Sequence, residues 1–318
     1  MVYFRPPAPK SGIPRGTGTE VGVLSVQADN IRSQSLVVAC HINDARRQAE
    51  MARAAGATIG LVPTMGFFHE GHLSLMRAAR EECGYTAVSI FVNPAQFVDG
   101  EDLVSYPRDM ERDLELAAAE GMDLVFAPSA DAMYGGGQGT MVEPGRAATG
   151  LCGRSRPGHF RGVVTVVAKL FNIIRPDAAY FGQKDAQQAA VVRAMAEDLD
   201  YHTRIRVMPT VREPDGLAMS SRNSYLSTDQ RRQATVLYRA LTRARRAALA
   251  GESSVSVLLE SMEQDIGEQP AVELEYARIV DPETMQPLAE LGKRSLAVVA
   301  ARVGRARLTD NIFMEGRR

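Results

Sequence analysis

The stretch Thr58-Ile-Gly-Leu-Val-Pro-Thr-Met-Gly-Phe-Phe-His-Glu-Gly-His72 decides the fold of this chain. Its first five residues form a largely apolar run with the length of a buried strand, and residues 71–82, which follow the loop, have a helical pattern. A short apolar strand that leads directly into a helix is the unit of a parallel sheet with helices on both faces. We therefore predict a parallel sheet around this strand.

The same unit recurs on both sides of this stretch. Short apolar runs predict further strands at 35–38, 86–92, 124–126, 178–181 and 204–208. Helical patterns lie between them at 43–55, 109–120, 163–173 and 185–199. The alternation predicts an α/β fold, a Rossmann-like doubly wound parallel sheet over residues 35–210. Such sheets bind ligands at the carboxyl ends of their strands, near the switch point.

The two ends of the chain differ from this pattern. Residues 1–34 are rich in proline and glycine, and we interpret them as a flexible leader. The leader lacks the apolar core of a secretory signal, although its basic residues leave an organelle transit peptide open. After about Thr210 a smaller α+β domain is predicted over residues 211–318, and it would act as a lid. Its predicted elements are helices at 228–249 and 255–266 and strands at 274–280, 296–302 and 307–308.

Composition argues against several classes of function. The 318 residues carry a formal net charge of −1, so no basic face is expected for nucleic acid or for an anionic membrane. No apolar run reaches the length of a membrane span. Cys40, Cys83 and Cys152 form neither a CxxC pair nor a zinc pattern. A cytoplasmic location follows as the expectation.

The loop between the strand at 58–62 and the following helix predicts a phosphate-binding site. Helix N-termini present free N–H groups and the positive end of the helix dipole, which favour anions. His69 and His72 add imidazole donors, and Gly66 and Gly71 permit close approach of a ligand. The alternative is a metal pair or two capping histidines, but zinc would need a third ligand and none stands out.

Two later segments offer further phosphate contacts. In residues 182–188, Lys184 supplies a compact charge and Asp185 can cap a helix or hold a ribose hydroxyl. Residues 215–223 contain two serines and Arg222, and a mobile loop of this kind can close over a triphosphate. An ordinary helix cap and an ordinary surface turn are the respective alternatives.

A fourth segment, Phe91-Val-Asn-Pro-Ala-Gln-Phe97, follows another predicted strand. The neutral amides of Asn93 and Gln96 suit an uncharged polyol or a carboxylate substrate better than a phosphate. The alternative is a simple turn that begins at the Asn-Pro pair.

These segments carry a resemblance to a known family. His69-Glu-Gly-His72 resembles the HIGH signature of the adenylating nucleotidyltransferase superfamily, and the loop 219–223 resembles a KMSKS loop without its first lysine. The four segments in this order resemble the pantothenate synthetase (pantoate–β-alanine ligase) family closely. Tyr106-Pro-Arg-Asp109 and Arg156-Pro-Gly-His-Phe-Arg-Gly162 belong to the same resemblance. It extends from about residue 55 to 228 and continues more weakly to about 314.

The resemblance implies a homodimeric, ATP-dependent ligase of coenzyme A biosynthesis that also uses Mg²⁺. Pantoate would be activated as an adenylate, and β-alanine would then form the amide bond of pantothenate. The residues implied to contact ATP are Met65, Gly66, Phe67, Phe68, His69, Glu70, Gly71, His72, Gly182, Gln183, Lys184, Asp185, Val211, Met219, Ser220, Ser221 and Arg222.

The resemblance also implies individual roles. His72 would be a proton donor, and His69, Lys184 and Arg222 would stabilise charge on the phosphates. Three amides would contact pantoate and β-alanine, and Asp113 would bind Mg²⁺ or one of its waters. The amides are those of Gln96, Gln188 and Asn93.

Three positions depart from the family pattern, and two other functions stay open. Phe67 and Phe68 are bulkier than the pair common in the family, and Cys152 stands where glutamate is more frequent. A cytidylyl- or adenylyltransferase of a phosphorylated alcohol would keep the phosphate loops but would not need the amides. A regulatory protein would bind ATP without turnover.

Overall fold

A six-stranded parallel sheet forms the larger part of the protein. The computed structural model describes residues 36–135 and 139–315, so the predicted leader at 1–34 lies outside the described residues. The strand order is β1-β4-β3-β2-β5-β6. The strands are β1 (Val37–Ala39), β2 (Ile59–Thr64), β3 (Tyr85–Ile90), β4 (Leu124–Phe126), β5 (Ala178–Gly182) and β6 (Arg204–Met208).

Helices cover both faces of this sheet. They are α1 (Ile42–Ala54), α2 (Glu70–Glu82), α3 (Met110–Ala119), α4 (Ala130–Tyr134), α5 (Cys152–Ser155), α6 (His159–Ile174) and α7 (Ala186–Asp198). One core cluster contains the buried side chains of α1, α6 and α7, and another contains those of α2 and α3. The predicted doubly wound fold is confirmed, because the two sets of helices pack on separate cores.

The strand order reverses between β2 and β5. From β2 the chain continues through β3 to β4 on one side, and it then crosses back to β5 and β6 on the other. A crevice opens at such a reversal, outside the carboxyl ends of the two central strands. The loops that follow β2 and β5 therefore meet at this crevice.

The C-terminal part is a three-stranded antiparallel sheet with helices. The sheet has the order β7-β8-β9, with β7 (Val272–Val280), β8 (Ser295–Val303) and β9 (Ala306–Met314). Its core is shared with α9 (Val236–Ala250) and α10 (Val255–Gly267), and α8 (Thr228–Ala234) precedes them. In the described part of the chain, no helix is both long and apolar enough to cross a membrane.

Some predicted elements differ from those observed. The single helix predicted at 228–249 is wrong, because α8 and α9 meet at Thr235, whose Oγ1 donates to the Arg232 carbonyl at 2.7 Å. Such local side-chain bonds compete with the helical pattern. The strand predicted at 307–308 is longer, since β9 pairs with β8 along its whole length. α6 begins at His159, four residues before the predicted start.

Candidate active site

A cavity of about 270 Å³ opens at the switch point between the loops after β2 and β5, and the C-terminal sheet closes one side of it. Ligand pockets for small molecules typically start at roughly 300 Å³, so the cavity suits a small ligand rather than a macromolecule. The predicted site residues that line it are Met65, His69, Gly71, His72, Gln96, Gly182, Lys184, Asp185, Gln188, Val211, Met219, Ser220, Ser221 and Arg222.

The other predicted site residues lie behind the cavity wall or beside it. Phe67 and Phe68 border an adjacent opening that shares His69 with the main cavity. Glu70 forms an ion pair with Arg77 on the same helix. The residues that support the wall without lining the main cavity are Gly66, Phe67, Phe68, Glu70, Asn93, Asp113 and Gln183.

The side chains of His69 and His72 each accept a hydrogen bond from a backbone N–H at the start of α2. His69 Nδ1 accepts from the Gly71 N–H at 3.1 Å, and His72 Nδ1 accepts from the His69 N–H at 3.3 Å. The ring centroids are 4.1 Å apart. Because a backbone N–H can only donate, both Nδ1 atoms accept, and the proton of each neutral ring lies on Nε2. The capping bonds therefore leave two Nε2–H donors for a ligand in the cavity.

Gly71 is required by this arrangement. A Cβ atom at Gly71 would lie 2.8 Å from Cε1 and 2.9 Å from Nδ1 of the His69 ring. A side chain at this position would displace His69 from the helix end, so the glycine allows the imidazole to fold back over the N-terminus.

Both histidines are neutral at ordinary pH. Burial, followed by the adjacent His69 and the Lys184 ammonium, lowers the pKa of His72 to about 3. Burial and then Lys184 lower the pKa of His69 to about 4. Imidazoles with these values donate hydrogen bonds without carrying a charge.

The lowered pKa values predict a loss of stability on acidification. The unfolded chain binds these protons near pH 6.5, before the folded protein does, so this stability is present above pH 6.5 and is lost as the pH falls through about 4 and 3. We expect the urea-derived free energy of unfolding to drop between pH 6.5 and 4 by on the order of 5 kcal/mol more than in the double variant His69→Asn, His72→Asn. Identical pH dependence in the two proteins would show that folding does not lower the pKa values of the two histidines.

Asp113 on α3 holds the loop that precedes the histidines. Its Oδ2 accepts from the Phe67 N–H at 2.6 Å and its Oδ1 from the Phe68 N–H at 2.7 Å. Gly66 and Phe67 have φ values of 83° and 53°, and a Cβ on Gly66 would lie 2.8 Å from Asp113 Oδ2. Burial raises the pKa of the Asp113 carboxyl, and the two N–H donors oppose this rise. The carboxylate thus stabilises a left-handed loop that ordinary residues disfavour.

The turn after β5 brings Lys184 and Asp185 to the cavity. Lys184 Nζ lies 3.4 Å from Asp185 Oδ1. Asn311 on β9 donates from Nδ2 to the carbonyls of Gln183 at 2.9 Å and Lys184 at 3.0 Å, and its Oδ1 accepts from Gln183 Nε2 at 2.9 Å. The C-terminal sheet therefore fixes the turn that carries Lys184.

Arg222 is oriented by Asp102, 120 positions earlier in the chain. Its Nε and Nη2 donate to the two carboxylate oxygens of Asp102 at 2.9 and 2.8 Å, and the Tyr225 hydroxyl donates to the same carboxylate at 3.3 Å. A bidentate pair fixes the plane of a guanidinium. Nη1 is left for a ligand, since no residue in the described ranges accepts from it.

Asn93 and Gln96 form one amide network, in which only Gln96 lines the cavity. Asn93 is buried, donates from Nδ2 to Gln96 Oε1 at 3.0 Å and to the Gly162 carbonyl at 3.1 Å, and accepts from the Tyr134 hydroxyl at 2.6 Å. Gln96 Nε2 lies 3.3 Å from Met65 Sδ. The structure thus uses Asn93 to orient the Gln96 carboxamide.

Several residues that support the site are not evident from sequence patterns. Arg212 donates to both oxygens of the buried Asp310, at 2.6 and 2.9 Å, beside the loop that carries Val211. Other loops of the site are also held by single side chains: Asp102 binds Arg222, Asn311 binds the Gln183 carbonyl, and His159 binds the Gln96 carbonyl. The sequence signal for His159 is its position in the segment 156–162 that resembles the family. Asp102 lies within the broader stretch of resemblance from about residue 55 to 228, and nothing local marks Asp310 or Asn311.

A family model described as pantoate-beta-alanine ligase matches residues 37–313. The chain belongs to the pantoate-beta-alanine ligase family. This confirms the resemblance that the four motifs indicate.

Relatives in the pantoate-beta-alanine ligase family are similar over most of their length. The pantothenate synthetase of Heliobacterium modesticaldum is 55% identical over 266 residues, which cover 84% of this chain and 94% of the relative. That of Moorella thermoacetica is 52% identical over 270 residues, 85% of this chain and 95% of the relative. The family match therefore includes both the parallel sheet and the C-terminal antiparallel sheet.

Solved structures of the family have the same fold. A pantothenate synthetase from Thermus thermophilus superposes with a TM-score of 0.82 at 44% identity, covering 86% of this chain and 98% of its own. A pantoate-beta-alanine ligase from Francisella tularensis, crystallised with beta-gamma ATP and beta-alanine, has a TM-score of 0.73 at 32% identity. The superposition covers 87% of this chain and 97% of the Francisella chain.

Proposed function

We propose that the cavity at the switch point joins pantoate to β-alanine by the ATP-dependent reaction of the pantoate-beta-alanine ligase family. A pantoate carboxylate oxygen attacks the α-phosphorus of ATP, the bond to the β-phosphate breaks, and diphosphate leaves. The neutral amine of β-alanine then attacks the acyl carbon. The acyl bond to AMP breaks, the amine loses a proton to solvent, and pantothenate and AMP are released.

One observation carries this assignment: phosphate donors and substrate amides line the same small cavity. His69, His72 and Lys184 follow the two central strands, and Gln96 and Gln188 line the same space. Donors of this kind suit a polyphosphate, while neutral amides suit a hydroxy acid. Both substrates can therefore be held together, which is the main requirement of a reaction between them.

We assign the donors separate roles in the first step. The Nε2–H groups of His69 and His72 donate to phosphate oxygens without adding charge. Lys184 and the Nη1 of Arg222 supply positive charge where it develops on departing diphosphate. No side-chain nucleophile is needed, because the carboxylate of the substrate attacks directly.

We further propose how ATP itself is held. Gly182 and Asp185 at the end of β5 would contact the ribose, and Val211 after β6 would contact the adenine. Met219, Ser220 and Ser221 would close over the phosphates together with Arg222. The Francisella family member crystallised with an ATP compound and beta-alanine supports this choice of ligands.

Mg²⁺ would enter as part of the ATP substrate. In the described part of the chain, no group of three or more His, Cys, Asp or Glu side chains could hold a metal by itself. Mg²⁺ at such sites is usually held by phosphates, waters and one or two carboxylates. The half-exposed carboxylate of Asp185 lines the cavity and fits that requirement. Both oxygens of Asp113 are used by the loop, so we propose it as a loop anchor.

A cytoplasmic homodimer is part of the same proposal and rests on the family alone.

Turnover with defined substrates tests this function. We expect diphosphate to form from ATP and Mg²⁺ only when pantoate is present, and AMP and pantothenate to form only when β-alanine is added as well. Gln188→Leu removes a cavity amide while leaving the phosphate loops intact, and it should raise the KM for pantoate about tenfold with little change for ATP.

Two results would contradict the proposal. ATP binding with no AMP formed would favour a regulatory nucleotide-binding protein. Turnover with a phosphorylated alcohol in place of pantoate would favour a nucleotidyltransferase of another specificity.

A further inference from the structure

Gln96 is held at its backbone as well as at its side chain. While Asn93 binds its carboxamide, the Gln96 carbonyl lies 2.7 Å from Nδ1 of His159. His159 is the first residue of α6 and is only 6% exposed. This histidine lines the cavity but has no role in the reaction proposed above.

The neighbouring arginine decides which nitrogen of His159 carries the proton. Arg156 Nη1 lies 2.9 Å from His159 Nε2, and a guanidinium can only donate. Nε2 therefore accepts, and the proton of the neutral ring lies on Nδ1, where it is donated to the Gln96 carbonyl. Burial, followed by the Arg156 charge, lowers the pKa of His159 to about 4, which agrees with a neutral ring.

Arg156 is itself committed to the protein. Its Nε and Nη2 pair with the two oxygens of Glu101, Nη2 to Oε2 at 2.7 Å. With Nη1 on His159 and Nη2 also 3.4 Å from the Gln96 carbonyl, all three guanidinium nitrogens have protein partners. Glu101 thus fixes Arg156, and Arg156 contacts the Gln96 carbonyl both directly and through the shorter bond from His159.

α6 and the turn at Pro94–Gln96 are also packed too closely to tolerate a side chain between them. A Cβ on Gly162 would lie 2.1 Å from the Ala95 carbonyl oxygen. The turn therefore cannot shift toward α6. Rotation of the peptide between Gln96 and Phe97 is restrained most closely by the 2.7 Å bond from His159, and also by Arg156 Nη2 at 3.4 Å and by the Phe97 N–H, which donates to the Pro94 carbonyl at 3.3 Å.

We propose that His159 is a positioning residue for the acid substrate, holding the Gln96 peptide so that the Gln96 carboxamide faces pantoate. The inference rests on the proposed contact between Gln96 and pantoate. Glu101 fixes Arg156, and Arg156 fixes the tautomer of His159. Nδ1 is therefore the one atom of the His159 ring that donates to the Gln96 carbonyl.

Two conservative variants separate the two nitrogens of His159. The Nδ2 of His159→Asn can take the place of Nδ1 and keep the bond to Gln96, whereas His159→Gln reaches the position of Nε2 and loses it. We expect the KM for pantoate to rise about tenfold in His159→Gln and His159→Leu, and to stay within about threefold in His159→Asn. The KM for ATP should stay within about twofold in all three.

Thermal unfolding and crystal structures complete the test. A purely structural role would make the KM for pantoate follow the Tm across the three variants, and this result would overturn the proposal. So would a Gln96 peptide that keeps its orientation in His159→Leu, and that observation needs no turnover. Absence of turnover in the unsubstituted protein would instead count against the proposed function, so the two failures are distinguishable.

Discussion

We expect His72→Ala to slow pantoate-dependent diphosphate release by about a hundred- to a thousandfold, the range seen when one preorganised donor to developing charge is removed. The neutral His72 ring has its Nδ1 committed to the His69 N–H and its Nε2–H available in the cavity. Alanine removes both functions at once. It should therefore also cost about 1 kcal/mol of stability, as the loss of a helix cap does.

Two control variants separate chemistry from capping. In His72→Asn, Oδ1 can replace Nδ1 as the acceptor for the His69 N–H, but nothing replaces Nε2–H. It should have close to the stability of the unsubstituted protein and the slow rate of the alanine variant. Ser254→Ala removes the N-cap of α10, where Ser254 Oγ accepts from the Val257 N–H; stability should fall while the rate is unchanged.

Single-turnover formation of diphosphate, measured by quenched flow with saturating ATP and pantoate, gives the rate of the chemical step. Urea unfolding of the same preparations gives stability. If the rate in His72→Asn recovered to that of the unsubstituted protein, the capping bond alone would explain the requirement for His72.

The parallel sheet is predictable because its strands are short apolar runs followed by helices. Ala178–Gly182 and Arg204–Met208 agree with the predicted strands at 178–181 and 204–208 to within one residue. In such a sheet the loops after all strands emerge at one edge. The convergence of His69 and Lys184 on a single cavity therefore follows from local patterns alone.

The contacts that orient those residues are not predictable in the same way. Arg222 and Asp102 are 120 positions apart, and Asn311 and Gln183 are 128 apart. Such pairs depend on how the segments after β6 pack against the parallel sheet and its loops, and no local spacing encodes that packing. The same limitation affects residue roles, since the amide of Asn93 has the right chemistry for a ligand yet is used within the protein.

Asp113 also has the chemistry of a ligand but is used within the protein, and we expect its substitution to lower both stability and turnover. Asp113→Ala leaves the Phe67 and Phe68 N–H groups without acceptors, which should lower the free energy of unfolding by about 2–4 kcal/mol. Because the released loop carries Met65 and leads into His69, we expect kcat/KM to fall about a hundredfold. Urea unfolding and steady-state turnover over a wide range of Mg²⁺ concentration measure the two effects.

The dependence on Mg²⁺ distinguishes a loop anchor from a metal ligand. If Asp113 only anchors the loop, added Mg²⁺ restores no activity, and Asp113→Asn is nearly as damaging as alanine, since its Nδ2 would face a backbone N–H that needs an acceptor. A metal ligand would behave differently, because asparagine keeps one oxygen and high Mg²⁺ would recover turnover. Asp109→Ala, which removes the N-cap of the same helix, should cost about 1 kcal/mol with little loss of activity. A large loss of activity that is specific to position 113 and insensitive to Mg²⁺ would therefore show that activity requires the hydrogen bonds from the Phe67 and Phe68 N–H groups to Asp113.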